Sequence, residues 1–248
     1  MVNSDLHIDS DNLPEHIAVI MDGNGRWAKG KGAARIFGHK NAIKAVREVT
    51  EGCAELGVKY LTLYAFSTEN WSRPQDEVQG LMQLLVYTIK NEINTLHKNN
   101  VKLEALGDLK HLPINCQKEL SEAIEATKSN DGLTLILALS YSGRWEIVEA
   151  AKKIALAVAN NEYTVDEIDN DVFRSFLMTG HVPDPELLIR TSGEMRISNF
   201  LLWQLAYTEI YITKTLWPDF RKNDLHEAIV AYQHRERRFG KISEQVKS

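Results

Sequence analysis

The sequence of 248 residues contains few cysteines, no long apolar run and no excess of positive charge, and each absence narrows the possibilities. Cys53 and Cys116 are the only cysteines, too few for a disulfide scaffold or a zinc cluster, and they predict a reducing compartment. No stretch reaches the ~18 apolar residues of a membrane-spanning helix. Residues 1–15 are polar and acidic, unlike a secretory signal. We therefore expect a soluble cytoplasmic protein.

The charge balance is mildly acidic. With 29 Lys and Arg against 34 Asp and Glu, the formal net charge is −5, whereas dedicated nucleic-acid-binding domains are usually basic. Nucleic acid is therefore not an expected partner. Hydrophobic residues make up 44% and charged residues 25%, which is typical of a globular domain. We predict a polar leader over residues 1–13, one domain over 14–241 and a tail over 242–248.

Short apolar runs typical of strands alternate with segments of helical periodicity along the domain. This alternation predicts an α/β fold with a mainly parallel central sheet of about six strands and helices on both faces. The acidic stretch 161–171 is expected to be a surface loop rather than a metal site. The predicted strands are 16–21, 60–66, 101–106, 133–139, 186–189 and 209–212, and the predicted helices are 39–56, 75–98, 113–129, 142–160, 171–178 and 223–238.

In sheets of this class, ligands bind beyond the carboxyl ends of the strands. The segments that directly follow predicted strands and carry unusual polar residues are 22–27, 67–73, 141–144 and 190–198. We therefore expect these four segments to meet at one edge of the sheet and to hold most of the residues that carry chemistry.

Residues 23–28 come close to two nucleotide-binding motifs. They fit the dinucleotide pattern GxGxxA, but Arg26 and Trp27 are bulky where a pyrophosphate must approach. Residues 25–31 fit GxxxxGK, but Gly32 stands where a Ser or Thr would hold magnesium. Each motif thus lacks a feature that it requires, and an oxidoreductase that binds NAD stays an alternative.

The same turn is better suited to binding a phosphate group. Two glycines and Arg26 offer backbone N–H groups and a guanidinium, and Arg35 and His39 follow within reach. Asp22 would be repelled by a bound anion unless a cation lay between them, so its position suggests magnesium. The plainer alternative is that Asp22 caps the turn and Arg26 points to solvent.

A second cationic segment follows the fifth predicted strand. Arg190 and Arg196 flank a turn that contains Gly193 and hydroxyl side chains, which suits another oxyanion. Glu209 is expected near the same edge as a second magnesium carboxylate. Two diphosphate-sized sites without a pocket for a base predict a reaction between two diphosphates. The plainer alternative is a surface ion pair between Arg190 and Glu194.

Helix 75–98 is apolar almost all round its first half. Such a helix is either buried in a core or lines an apolar cavity. Periodicity alone does not separate a core helix from one wall of a hydrophobic tunnel, so both interpretations stay open.

Four segments carry a resemblance to a known family: 16–40, which begins HIAVIMDGNGRW, 61–78, 139–148 and 190–220. In this order, and over residues 14–240, the chain closely resembles the cis-prenyltransferases, which include the bacterial undecaprenyl diphosphate synthases. The resemblance implies magnesium-dependent condensation of isopentenyl diphosphate units onto farnesyl diphosphate with cis double bonds. The implied product is undecaprenyl diphosphate, the precursor of the carrier lipid for cell-wall polysaccharides. A homodimer that delivers its product to the membrane surface without spanning it is also implied.

The resemblance assigns roles to individual residues as well. Asp22 is expected to place Mg2+ on the diphosphates with Glu209 as a further ligand, Asn70 to take part in removing the proton, and residues 237–240 to lie near the partner subunit's active site. Residues expected to bind the allylic diphosphate are Gly23, Asn24, Gly25, Arg26, Trp27, Arg35 and His39; those where the substrates meet are Ser67, Thr68, Glu69, Trp71 and Arg73; and those that bind isopentenyl diphosphate are Arg190, Arg196, Ile197 and Ser198.

Three positions depart from the family pattern. Ser140 and Ser142 stand where the family usually has Asn and Gly, and Lys241 stands where it has Gly. No role is carried over for the two serines. An alternative from another class is a non-catalytic, lipid-carrying partner subunit, which would lack Asp22 or the cluster at 190–198; both are present.

Overall fold

The computed structural model describes residues 7–237, and the structural statements below concern this part of the chain. Its six strands form one sheet in which all neighbouring pairs are parallel, as predicted. In chain order they are β1 (His16–Ile20), β2 (Tyr60–Ser67), β3 (Lys102–Leu106), β4 (Thr134–Tyr141), β5 (Leu187–Arg190) and β6 (Glu209–Ile212). The order across the sheet is β3-β4-β2-β1-β5-β6.

The α-helices of the described chain connect and cover these strands. α1, which forms directly after Gly23, is not among the predicted helices, and α2 begins at Arg35 rather than at residue 39. The last helix ends at Gln233 rather than at residue 238. In chain order the helices are α1 (Asn24–Gly30), α2 (Arg35–Leu56), α3 (Gln75–Lys98), α4 (Ile114–Thr127), α5 (Gly143–Ala159), α6 (Asn170–Phe176) and α7 (Lys222–Gln233).

The acidic stretch 161–171 is partly ordered by its own carboxylates. Asp169 caps α6 by accepting a hydrogen bond from the Val172 N–H at 2.8 Å. Glu167 accepts from the Thr164 N–H at 2.7 Å and so closes a short 3₁₀ helix. These carboxylates therefore act as caps on the surface, which is where Asp and Glu stabilise the first turn of a helix.

Both faces of the sheet are buried, and the central strand β1 shows how. Ile17 and Val19 belong to the larger core, which α2, α3, α4 and α7 complete. Ala18 and Ile20 point to the opposite face and pack in a second core that includes Phe200. Successive side chains of a strand alternate between faces, so a strand covered on both sides needs an unbroken apolar run.

His16 is a buried polar residue at the amino end of β1, only 1% exposed. Its Nδ1 donates to the carbonyl oxygen of Pro183 at 2.6 Å, and its Nε2 accepts from the Thr62 hydroxyl at 2.8 Å. The neutral ring thus links β1 to β2 and to the segment before β5. Burial lowers the pKa of His16 to about 4, which outweighs the opposing effects of Pro183 and Glu186.

This depressed pKa predicts acid sensitivity. Because the unfolded chain binds the proton at its ordinary pKa, the contribution of His16 is present above pH 6.5 and is lost as the pH falls toward 4, a loss of about 2–3 kcal/mol. Urea unfolding at a series of pH values should therefore show a smaller loss over this range for His16→Gln than for the unsubstituted chain. Equal slopes for the two proteins would assign the acid sensitivity to other groups.

Candidate active site

The carboxyl ends of the central strands lie at one edge of the sheet. Ile20 at the end of β1 pairs with Arg190 at the end of β5, and Ser67 at the end of β2 pairs with Tyr141 at the end of β4. The segments that follow these strands therefore meet at this edge, as the sequence predicts.

Asp22 is held at this edge by contacts from both neighbouring segments. Its Oδ2 accepts from Arg190 Nη2 at 3.0 Å and its Oδ1 from the Gly23 N–H at 2.7 Å. Its backbone N–H donates to the Thr191 hydroxyl oxygen at 2.8 Å. Burial raises the pKa of Asp22, but the Arg190 hydrogen bond and charge, the Gly23 N–H and the Arg26 charge outweigh it, so the pKa is lowered. The carboxylate is therefore ionised at neutral pH.

The two cationic segments form one cluster rather than two. Arg26 donates to the carbonyl and hydroxyl oxygens of Ser192 at 3.1 and 2.5 Å, and its Nη2 lies 3.1 Å from Glu194 Oε1. Arg190 donates to the Ser198 hydroxyl at 2.8 Å. Arg26 is thus anchored at its guanidinium although its side chain is 49% exposed, and Asp22 also bonds to the turn at Gly23, so the plainer alternative for this turn holds in part. Arg190 pairs with Asp22 rather than with Glu194, so the plainer alternative for that segment is wrong.

The first turns of α1 and α2 pack against each other close to the same edge of the sheet. Asn24 donates from Nδ2 to His39 Nδ1 at 3.3 Å. A Cβ at Gly38 would lie 2.0 Å from the Asn24 carbonyl oxygen, so this close approach requires glycine. Burial, with the nearby charges of Arg73 and Arg35, lowers the pKa of His39 to about 4 against the opposing charge of Glu77. His39 is therefore a neutral hydrogen-bonding group at neutral pH.

The cluster forms the mouth of a cavity of about 480 Å³, which lies between the sheet and helices α2 and α3. Its walls below the mouth are mainly apolar, from Val46 on α2, Leu85 and Ile89 on α3, and Leu137 on β4. The predicted site residues that line this cavity are Asp22, Asn24, His39, Ser67, Asn70, Arg73, Arg190, Arg196 and Ser198. Helix α3 both lines the cavity and contributes Met82 to the core, so both interpretations of its apolar surface hold.

Several predicted binding residues do not line the cavity. Trp27 stacks on Phe37 with ring centroids 5.7 Å apart, and Ile197 packs against the second core. Trp71 lies in the adjacent groove and donates from Nε1 to the Ser140 hydroxyl at 2.9 Å. The predicted residues outside the cavity lining are Gly23, Gly25, Arg26, Trp27, Arg35, Thr68, Glu69, Trp71 and Ile197.

The expectation that Glu209 lies at the same edge as Asp22 is wrong. Glu209 opens β6 and pairs in register with Leu187, the first residue of β5. The edge that carries Asp22 lies three residues further along these strands, about 10 Å away. Glu209 instead accepts a hydrogen bond from Arg235 Nη1 at 2.7 Å. Within one chain, the two carboxylates are therefore too far apart to share a metal ion.

The two serines that depart from the family pattern differ in backbone strain. Ser140 has a φ of 49°, in the left-handed region that asparagine, the family's usual residue there, adopts more readily than serine. Ser140 accepts the hydrogen bond from Trp71. Ser142 has a φ of −154°, an extended conformation that any residue adopts. A Cβ at the next position, Gly143, would lie 2.7 Å from Leu202 Cγ, so the glycine that the packing requires is retained. Lys241 and residues 238–240 lie outside the described residues.

Asn199 is a structural feature of the site that sequence reasoning missed. Its Nδ2 donates to Glu69 Oε1 at 2.7 Å, its Oδ1 accepts from the Arg144 N–H at 3.0 Å, and its carbonyl accepts from the Gly143 N–H at 2.7 Å. It therefore joins three of the segments at the sheet edge, directly beside Ser198. The only sequence signal was a polar residue between Ser198 and the apolar run 200–203.

None of the helices within residues 7–237 is long and apolar enough to cross a membrane. The site thus combines a fixed cationic cluster with an apolar cavity, on the carboxyl edge of a parallel sheet. This arrangement defines a protein of the α/β class that can hold diphosphate esters with hydrocarbon tails.

Comparisons with known proteins agree with this class. Residues 20–240 match the family model described as putative undecaprenyl diphosphate synthase. The chain is 52% identical over 236 residues to an isoprenyl transferase of Chlorobaculum tepidum, covering 95% of this chain and 89% of the relative. It is 51% identical to the ditrans,polycis-undecaprenyl-diphosphate synthase ((2E,6E)-farnesyl-diphosphate specific) of Pasteurella multocida, covering 96% and 100%.

Solved structures show the same fold. Lavandulyl diphosphate synthase from Lavandula x intermedia, in complex with dimethylallyl diphosphate, superposes with a TM-score of 0.91 at 38% identity, covering 93% of this chain and 100% of that one. A probable undecaprenyl diphosphate synthase from Campylobacter jejuni gives 0.78 at 35% identity, with the same coverage. The chain belongs to the undecaprenyl diphosphate synthase family of prenyltransferases.

Substitution of Asn199 tests the junction that it forms. Asn199→Ala removes two side-chain hydrogen bonds, one of them to a carboxylate, and should lower the free energy of unfolding by about 1–3 kcal/mol in urea titrations. Asn91→Ala is a matched control, because the Asn91 side chain makes one exposed hydrogen bond to its own helix. Asn199→Ala as stable as this control would mean that the three segments hold together without it.

Proposed function

We propose that this enzyme adds isopentenyl diphosphate units to farnesyl diphosphate with cis double bonds and produces undecaprenyl diphosphate, the precursor of a carrier lipid for cell-wall polysaccharides. The observation that carries the proposal is the single cavity that joins the cationic cluster to an apolar interior. A growing prenyl diphosphate has two matching parts, a negatively charged diphosphate and an apolar hydrocarbon chain. The names of the relatives from Pasteurella multocida and Chlorobaculum tepidum support this assignment.

Each diphosphate has a distinct set of donors. The allylic diphosphate binds at the start of α1, where Gly25 and its neighbours expose backbone N–H groups, with Arg26 and Arg35 alongside. The lavender relative that was solved with dimethylallyl diphosphate, an allylic diphosphate, supports this use of the fold. Isopentenyl diphosphate binds to Arg190, Arg196 and Ser198. The buried Nε of Arg190, which has no partner within residues 7–237, is a donor available to such an anion.

Magnesium fits this site as an ion shared with substrate. Within residues 7–237, no group of three or more His, Cys, Asp or Glu side chains is placed to hold a metal ion alone. Mg2+ typically binds one or two carboxylates together with substrate phosphates, and Asp22 supplies one ionised carboxylate beside the anion site. The ion would neutralise charge on the diphosphates as a Lewis acid. Within one chain the carboxylate beside the anion site is that of Asp22, and Glu209 would act as a further ligand only toward a site on the partner subunit of the proposed homodimer.

Residues of this chain stabilise the charge on the leaving diphosphate and orient the proton that is lost. Arg26 and the backbone N–H groups of α1 stabilise the negative charge that develops on the leaving diphosphate as the allylic C–O bond breaks. A new C–C bond forms to isopentenyl diphosphate, which loses a proton. The amide of Asn70 is a poor base, so it orients that proton while the released diphosphate accepts it. The Oδ1 of Asn70 is itself fixed by the Ser67 N–H at 3.1 Å.

We also propose that the enzyme is a homodimer. The sheet ends in the short edge strand β6, where Ile210 is exposed, and α5 exposes Val148 and Leu156. A short edge strand and exposed apolar side chains on a helix are each typical of surfaces that a second chain covers. Residues 237–240 are expected near the partner's active site. Within this segment, Arg237 pairs with Glu186, and residues 238–240 lie outside the described chain.

Delivery of the product to a membrane surface is supported by the distribution of charge. Residues 23–47 contain seven Lys and Arg and neither Asp nor Glu, whereas the remaining residues contain 22 Lys and Arg against 34 Asp and Glu. Phe37 is 43% exposed in the same region. Arg26, Arg35, Lys44 and Arg47 pair with carboxylates outside this stretch, whereas the exposed Lys29, Lys31 and Lys40 form no ion pair within residues 7–237. These lysines together with an exposed aromatic side chain suit anionic phospholipid. The enzyme is thus cytoplasmic with peripheral contact to the membrane.

The direct test of the function is condensation. Purified protein incubated with farnesyl diphosphate, labelled isopentenyl diphosphate and magnesium should yield long cis products. Asp22→Ala should lower turnover by at least about 100-fold, because charge on the diphosphates is no longer balanced. Asp166→Ala is the control, since Asp166 is an exposed carboxylate that does not line the cavity.

The outcomes separate the alternatives. Binding of both diphosphates without any product would favour a non-catalytic, lipid-carrying subunit. Binding of NAD with no need for magnesium would favour the oxidoreductase alternative.

Membrane contact has a separate test that needs no turnover. The protein should sediment with vesicles of phosphatidylcholine and phosphatidylglycerol, and less with phosphatidylcholine alone. Neutralising the four exposed lysines of this surface should weaken binding by at least about tenfold, because each lysine near an anionic surface contributes about fivefold. These four substitutions are Lys29→Gln, Lys31→Gln, Lys40→Gln and Lys44→Gln.

The matched control neutralises four exposed lysines on α4, the loop after it and α5. Equal losses in the two quadruple variants would mean that net charge, rather than this surface, governs binding. The control substitutions are Lys118→Gln, Lys128→Gln, Lys152→Gln and Lys153→Gln.

A further inference from the structure

An ion pair crosses the cavity's outer wall, from α2 to α3. Arg47 Nε donates to Glu92 Oε2 at 3.0 Å and Arg47 Nη2 to Glu92 Oε1 at 2.5 Å. This two-bond geometry fixes both side chains relative to each other. Both residues line the cavity, and their side chains are 49% and 17% exposed. The pair is called the Arg47–Glu92 clasp below.

A charged pair is unexpected at this level of the cavity. Most lining residues around it are apolar, among them Val46, Leu85, Ile89 and Leu96, and the uncharged polar residues at this level are Thr50, Thr88 and Thr95. A charge beside hydrocarbon is costly unless a partner of opposite sign stays in place. Glu51 also lines the cavity, but its carboxylate pairs with Lys222 of α7 at 3.7 Å, on the far side of α2 from α3. Within residues 7–237, Arg35 and Glu77 also join α2 to α3, at 3.4 Å in the first turns of both helices. The clasp is the ion pair that joins the two helical walls deeper along the cavity.

The clasp lies well below the diphosphate sites. Arg47 lies two turns beyond His39, which is about 12 Å along the axis of α2. Glu92 lies about 17 Å beyond Leu81 along the axis of α3. Cavity lining continues beyond it, to Leu96 on α3 and Leu103 on β3. A hydrocarbon chain that grows from the mouth must therefore pass the clasp to reach the end of the cavity.

We propose that the Arg47–Glu92 clasp sets product chain length by fixing the separation of α2 and α3 where the growing chain passes. The inference rests on the proposed condensation reaction. The first additions need little room beyond the clasp, because the hydrocarbon chain is then at its shortest. Later additions need the space between the two helices at its level, and a fixed ion pair limits that space.

The test replaces both charges and measures product length. Arg47→Met with Glu92→Leu keeps much of the volume but removes the tie, so the product distribution should shift to longer chains by one or more isopentenyl units. Arg47→Met alone leaves the Glu92 carboxylate unpaired beside hydrocarbon and should shift the distribution to shorter chains. Arg47→Glu with Glu92→Arg restores a pair and should restore the original distribution.

A second ion pair on the same helix provides the control. Lys90 on α3 pairs with Glu119 on α4 at 2.8 Å, with side chains 55% and 17% exposed, and neither residue lines the cavity. Lys90→Met with Glu119→Leu should therefore leave product length unchanged. A shift equal to that of the clasp variants would overturn the proposal, because it would reflect a general loosening of α3.

The outcomes also separate this inference from the function on which it rests. Failure of the unsubstituted enzyme to condense the substrates overturns the proposed function. Condensation with the same product lengths in every clasp variant overturns the inference alone. Glu92→Gln keeps the shape of the side chain, weakens the tie and leaves no unpaired carboxylate in the cavity, so it should also shift the distribution to longer chains, even if the double variant does not fold.

Discussion

The ion pair between Asp22 and Arg190 is the contact on which the rest of the site depends. It joins the ends of two adjacent parallel strands, β1 and β5, and the two cationic segments are continuations of these strands. The Arg190 side chain is only 4% exposed, and a guanidinium removed from water needs a counter-charge. Asp22 provides it and stays ionised, so the cluster exists before any substrate binds.

The architecture was predictable because a parallel sheet covered on both faces has a recognisable sequence pattern. Its buried strands are continuous apolar runs, and its ligands bind at one known edge. Asp22 and Arg190 were found by that rule alone. Glu209 was misplaced because the rule needs the direction and register of a strand. For a four-residue strand such as β6, register is set by the pairing with β5, which sequence does not show.

The junction at Asn199 was missed for a different reason. Ser198, Asn199 and Leu201 have positive φ values of 49°, 60° and 42°. Residues other than glycine adopt this region only when surrounding contacts hold them there, so their local sequence gives no signal. The extent of helix α3 was predicted well, but not its function as both core and cavity wall. That distinction depends on how far α2 stands from it, which is a property of packing rather than of periodicity.

In the proposed reaction, the two ends of the site have different tasks at each step. The diphosphate stays at the mouth through every addition, so the same arginines and the same carboxylate act on the same charge each time. The hydrocarbon end moves further into the cavity with each added unit and meets a new part of the wall. The charged mouth therefore governs rate, whereas the apolar wall and the contacts that fix its width govern how often the cycle repeats. A rigid edge of a parallel sheet suits the first task, and two helices that stand apart around a cavity, with contacts that fix their separation, suit the second.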